Sequence, residues 1–105
     1  MIKQLICQGV FTNVMGNAFV NKSRNAAITR TAVGKYLVNF KGALGINSTD
    51  LDVDSWVRDN AGVKPRVVNV FPVDSSNVAL QFYDEAGALT DDFICGFVFS
   101  AVEGG

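Results

Sequence analysis

The stretch Asn25 to Phe40, NAAITRTAVGKYLVNF, decides the fold class. Tyr36, Val38 and Phe40 alternate with Lys35, Leu37 and Asn39. A period of two places one set on a buried face and the other nearer solvent, which is the pattern of a half-buried strand. With Ala26 to Thr31 before it, the stretch reads as two short strands around a turn.

The same reading extends in both directions. Lys3 to Thr12 is a first strand, whereas Asn13 to Asn25 is polar and irregular and reads as a long loop around Gly16. Beyond the opening pair, Gly42 and Gly45 break the pattern before LDVDSWVR, Leu51 to Arg58, another alternating strand. Ser48 is a potential helix cap there, but Asp alternating with Leu and Val favours extended chain. Asp59 to Gly62 is a turn signal and Pro65 stiffens the way into the next segment. Arg66 to Val73 is apolar on both sides of its alternation, as expected of a strand buried on both faces. Asn77 to Tyr83 sets Val78, Leu80 and Phe82 against Ala79, Gln81 and Tyr83. Asp84 to Asp92 is a turn-rich return, and in the final strand Phe93, Cys95, Phe97 and Phe99 oppose Ile94, Val98 and Val102. A strand apolar on both faces is central in its sheet or covered by another subunit. The expectation is an all-β chain, a single domain over 1–105, folded as an antiparallel β-sandwich of about seven to eight strands with jelly-roll-like topology.

Composition narrows the function. A chain of 105 residues with 49% hydrophobic and 18% charged residues can form one core and is not a disordered tail. Charge this sparse suggests more apolar surface than a lone small domain needs, and some of it is expected to be buried against further copies of the chain. The net charge of −1 and the scattered Lys and Arg give no cationic block of the kind that neutralises nucleic-acid phosphates. No apolar run approaches the length of a membrane span, and MIKQLICQGV lacks a signal-peptide apolar core and cleavage site. These readings predict synthesis in a cytoplasm, with neither nucleic acid nor membrane as partner.

The absence of histidine removes the usual general base and the commonest metal ligand. No phosphate-binding glycine loop, GxSxG or CxxC is present either, so the expectation is a protein that is not an enzyme and holds no cofactor. Cys7 and Cys95 lie near opposite ends in strand-like surroundings. A disulfide is geometrically conceivable, but in a reducing cytosol two buried free thiols are expected. The most site-like constellation is Asp50, Asp52 and Asp54. Alternate aspartates can offer oxygens to Ca²⁺, yet the glycine and distal glutamate of a calcium loop are missing, so a solvated acidic strand face is the simpler reading. Trp56 falls on the same side. Beside carboxylates it can stack on a sugar ring while the acids accept hydroxyl hydrogens. The duller alternatives are a bulge that turns Trp56 into the core, or a subunit contact. Lys22, Arg24 and Arg30 can pair with a partner's acids, with a solvated surface as the default. Asp91 and Asp92 read as turn residues, and the glycosylation matches at Asn21 and Asn47 as chance.

The opening stretch resembles a segment of bacteriophage tail-fibre and virion-appendage proteins, in which an Asn precedes small residues, Ile-Thr, a turn and Gly-x-Tyr-x-Val-x-Phe. Here those are Asn25, Ala26, Ala27, Ile28, Thr29 and then Gly34, Tyr36, Val38 and Phe40. Val78 to Phe99 is similar to the closing pattern of the same group. The resemblance implies a trimeric β-sandwich on the outside of a phage particle, with itself and other virion proteins as partners. The chain has no collagen-like repeat, heptads or fibrous shaft, which points to a knob, a short-fibre head or a capsid-decoration protein. A carbohydrate- or receptor-binding module that attaches to a host-surface glycan is the alternative reading.

Overall fold

The structure, a computed structural model, describes residues 3–41, 51–59, 64, 66–74 and 76–102. It contains eight strands: β1 (Lys3–Val14), β2 (Asn17–Arg24), β3 (Ala26–Ala32), β4 (Lys35–Phe40), β5 (Asp52–Arg58), β6 (Val67–Asp74), β7 (Asn77–Tyr83) and β8 (Ile94–Val102). They form two four-stranded sheets, β2-β1-β8-β5 (sheet A) and β3-β4-β7-β6 (sheet B). Every pairing is antiparallel. Among the described residues no helix is long and apolar enough to cross a membrane. The chain is an antiparallel β-sandwich. First and last strands pair at the centre of sheet A, while the β1–β2, β3–β4 and β6–β7 connections are hairpins within a sheet.

The stretch that opened the reading is β3 and β4. Tyr36, Val38 and Phe40 are buried, whereas Lys35 and Asn39 are exposed. The turn between them needs a glycine. Gly34 has φ 68°, and a Cβ there would lie 2.8 Å from Thr90 N and 2.9 Å from Phe82 O. Any side chain would be strained in this conformation and would collide with backbone as well.

Apolar residues of β1 and β8 meet those of β4 and β7 between the sheets. Phe82 and Phe93 stack with centroids 3.7 Å apart and planes within 4°. Phe11 sits among Tyr36, Phe82, Phe93 and Phe97 at centroid distances of 5.5 to 6.0 Å, three of the four edge-on. Edge-to-face and offset contacts suit the ring quadrupoles and add roughly 0.5–1.5 kcal/mol per pair beyond area burial.

Two expectations are corrected. Asn13 to Asn25 is not a long loop. Val14 pairs with Asn17 across a two-residue turn in which Met15 and Gly16 have φ 53° and 85°, a twist-matched hairpin turn. Asn13 Oδ1 accepts from Gly16 N–H and fixes it. The strand that follows, β2, is a sheet edge with almost every residue exposed, so nothing forces polar and apolar residues to alternate. Likewise β6 is not buried on both faces. It is the edge of sheet B, with Val68 and Val70 toward the core and Val67, Phe71 and Val73 exposed.

Asn25, first residue of the diagnostic stretch, turns the chain from sheet A to sheet B at φ 57°. Its amide donates at 2.7 Å to the carbonyls of both Ile6 and Lys41, and its Oδ1 accepts from Lys41 N–H. Asparagine tolerates this left-handed conformation and bonds the backbone on either side.

Candidate functional site

Strand β5 pairs with β8 from Asp52 to Arg58 without a register shift. Unbroken alternation sends Val53 and Val57 toward the core and Asp52, Asp54, Trp56 and Arg58 to the outer face of sheet A. The bulge that would turn Trp56 inward is absent, and Trp56 is 48% exposed. Asp50 lies outside the described residues. Of the sequence candidates, Asp52, Asp54 and Trp56 therefore share one face.

The register across sheet A defines what surrounds them. One row runs Lys22, Val10, Gly96, Trp56, and the next runs Arg24, Gln8, Val98, Asp54. Each spans three strand spacings, so Trp56 and Lys22 backbones stand about 14 Å apart. Between them lies a trough of about 720 Å³. Its shape depends on Gly96, where a Cβ would fall 2.2 Å from Trp56 Nε1 and 2.3 Å from Cε2. The indole occupies the space of the missing side chain. Arg58 holds its guanidinium carbon 5.5 Å from the indole centroid, a cation–π contact that limits the ring's freedom.

Charge is divided between the two banks. Asp52 and Arg58 face outward on β5, outside the trough lining. Lys22 and Arg24 on β2 and Asp54 on β5 line the trough and are exposed. Their side chains have no partner among the described residues. At this separation in water they do little to neutralise one another.

Cys7, Cys95, Asp91 and Asp92 are engaged or buried within the fold. Cys7 and Cys95 are free and fully buried, and they are not register partners, since Cys7 opposes Phe99 and Cys95 opposes Phe11. Burial pushes each thiol up to about 12, the opposite of an activated nucleophile. Among the described residues no group of three His, Cys, Asp or Glu could hold a metal ion. Asp91, read as a simple turn residue, is a hub instead. It accepts from Arg30 Nε and NH2, from Gly34 N–H at 2.9 Å and from the Tyr36 hydroxyl at 2.7 Å. Asn13 Nδ2 donates to the same hydroxyl. Arg30 is thereby paired within the chain. Asp92 pairs with Arg66 at 2.9 Å.

Lys22 and Arg24 are named in the sequence as cations for a partner's acids, but a loop reading of Asn13 to Asn25 gives them no shared face with Trp56. A signal was present, since Lys22 and Arg24 are two residues apart and share a face once the segment is extended. Gly96 gave another, because a glycine inside an otherwise apolar strand marks a close approach.

Compared with protein-family models, curated proteins and solved structures, the chain matches none.

Proposed function

We propose that the chain is a non-enzymatic structural protein on the outside of a bacteriophage particle, assembling as a homotrimer through the outer face of sheet B. The observation that carries this reading is the contrast between the two outer faces. Within β3, β4, β6 and β7 the charged residues are Arg30, Lys35 and Asp74. Arg30 is engaged by Asp91, and Asp74 caps the β6–β7 turn through Ser76 and Asn77. That leaves Lys35 as the outward charge within these strands, with Asp84 and Glu85 at the rim beside Val67 and Tyr83. Thr29, Leu37, Ala79 and Phe71 form a level row across it, flanked by exposed Val67 and Val73. A face that meets its own copies must avoid setting like charges together, and an almost uncharged sheet does so. The phage assignment itself draws on the resemblance of Asn25 to Phe40 and Val78 to Phe99.

The solution mass across a dilution series tests the assembly. A stable species of about three times the 11.3 kDa chain supports it, and Phe71→Glu or Ala79→Glu should then dissociate it. A monomer at all concentrations counts against it. Labelled antibody against the protein should decorate purified virions if the location is right.

The trough favours a second reading, a carbohydrate- or receptor-binding module for host attachment. Its support is an exposed tryptophan in contact with Arg58 and beside Asp54, a carboxylate with no partner among the described residues, the pair that a sugar ring and its hydroxyls engage. Glycan binding that is lost in Trp56→Ala with thermal stability unchanged supports it.

A further inference from the structure

We propose that the trough takes an acidic oligosaccharide, a sugar chain carrying carboxylate or sulfate, laid across sheet A from Trp56 to β2. This deepens, and rests on, the carbohydrate-binding reading. Polarity comes first. A neutral sugar needs an aromatic platform and hydroxyl partners, and Trp56, Asp54 and Gln8 supply both. They leave unexplained why the far bank presents two side-chain cations with no partner among the described residues. In a chain with nine cations in total and a net charge of −1, such a pair facing one trough is a local departure from the overall balance. An anionic substituent at that end satisfies both, in charge-assisted bonds that are stronger than neutral ones.

Length comes second. The β2 and β5 backbones stand about 14 Å apart, and the indole leaning over Gly96 leaves about two strand spacings to β2, more than a single ring without a substituent can cover. A chain of two to three sugars can. The carboxylate on the near bank sets direction. Asp54 accepts hydroxyl hydrogens beside Trp56, and Arg58 is already engaged with the indole. The trough's cations without a partner among the described residues are therefore those of β2, so the neutral ring belongs on the indole and the acidic group on β2.

Gly96 makes the site a built one. A methyl group at 96 would enter the space of the Trp56 indole, so the platform's position depends on that residue having no side chain.

The test is a glycan array carrying neutral, carboxylated and sulfated oligosaccharides, followed by titration of the best binder against four proteins. These are the wild type, Trp56→Ala, Gly96→Ala and Lys22→Ala/Arg24→Ala. The inference expects acidic glycans to dominate, with the carboxylated and sulfated arms identifying the acid. Affinity should fall about tenfold in the double variant, in line with the loss of charge-assisted bonds. It should also fall as NaCl rises from 50 to 500 mM. Trp56→Ala and Gly96→Ala should abolish binding while circular dichroism and melting stay close to wild type. Binding of neutral glycans that needs Trp56 but ignores Lys22 and Arg24 overturns this inference and leaves the carbohydrate reading standing. No binding to any glycan overturns both.

Discussion

The Tyr36 hydroxyl donates to Asp91 Oδ1 at 2.7 Å, joining residues 55 positions apart in the sequence. The same carboxylate ties the β3–β4 turn to the approach to β8, and Asn13 at the end of β1 joins them by donating to the Tyr36 hydroxyl. Removing Asp91 strands the Gly34 N–H and the Tyr36 hydroxyl, both in buried residues. Asp91→Ala should cost about 2–4 kcal/mol in urea unfolding, and Tyr36→Phe about 1 kcal/mol, because the phenyl ring stays. A double-mutant cycle should show coupling, and additive losses would mean the bond contributes little.

The same carboxylate gives a sign for acid stability. Burial works against its charge, but the Arg30 guanidinium, the Gly34 N–H and the Tyr36 hydroxyl together hold Asp91 below the ordinary carboxylate value. A depressed folded value stabilises the protein above the unfolded value, and that contribution is lost as pH falls through the folded one. Urea midpoints should therefore fall below about pH 4, and they should fall less steeply in Asp91→Asn. An identical acid limb in the variant would assign the loss to other carboxylates.

At the alkaline end the thiols decide. Burial raises Cys7 and Cys95 to about 12, from an ordinary value of 9.0. Their contribution is complete below the unfolded value and disappears as pH rises through the folded one. Stability should decline between about pH 9 and 12, and the decline should be shallower in Cys7→Ala/Cys95→Ala. Equal slopes would show that other groups set the alkaline limb.

Asn25 separates conformation from bonding. Asn25→Gly keeps the positive φ and loses the side-chain bonds to Ile6 and Lys41, and Asn25→Ala loses both. The glycine variant should lose about 1–2 kcal/mol and the alanine variant about 1 kcal/mol more. Equal losses would remove backbone strain from the account.

Gly96→Ala gives an optical test, because Trp56 is the chain's one tryptophan. The added methyl meets the indole, not backbone, so the ring must shift while the sheet stays. Emission should change in wavelength or intensity with the unfolding midpoint within about 1 kcal/mol of wild type. By contrast Phe97→Ala, deep among Phe11 and Phe99, should cost about 3–5 kcal/mol. Unchanged emission in the first variant, or unchanged stability in the second, would contradict the packing described.

Strands that alternate because one face is buried were legible from sequence. Tyr36, Val38 and Phe40, then Val78, Leu80 and Phe82, announce β4 and β7 directly. What escaped lies at the sheet edges. At β2 no face is buried, so Lys22 and Arg24 carried no periodicity that a core had imposed. At β6 the apolar residues Val67, Phe71 and Val73 suggested a core, although on the outer side of an edge strand they are exposed in the single chain. Half of the candidate site was visible for the same reason. Trp56 and Asp54 sit on a strand that alternates, and their counterparts across the trough sit on one that does not. Asp91 was hidden differently, since a hub joining distant segments leaves no local spacing to read.

The two outer faces of the sandwich look in opposite directions, so whatever covers sheet B leaves the trough on sheet A open. If three copies close around sheet B, their three troughs face outward, about 120° apart around the three-fold axis. A shallow, solvated site of this kind need not bind tightly alone. Where flexible sugar chains reach around the assembly, the remaining troughs meet them at an effective concentration near millimolar, and avidity can exceed the single-site affinity by about 10²–10⁴. Attachment would then depend on how densely the sugars are displayed, and a sparse coat would be released while a crowded one is held.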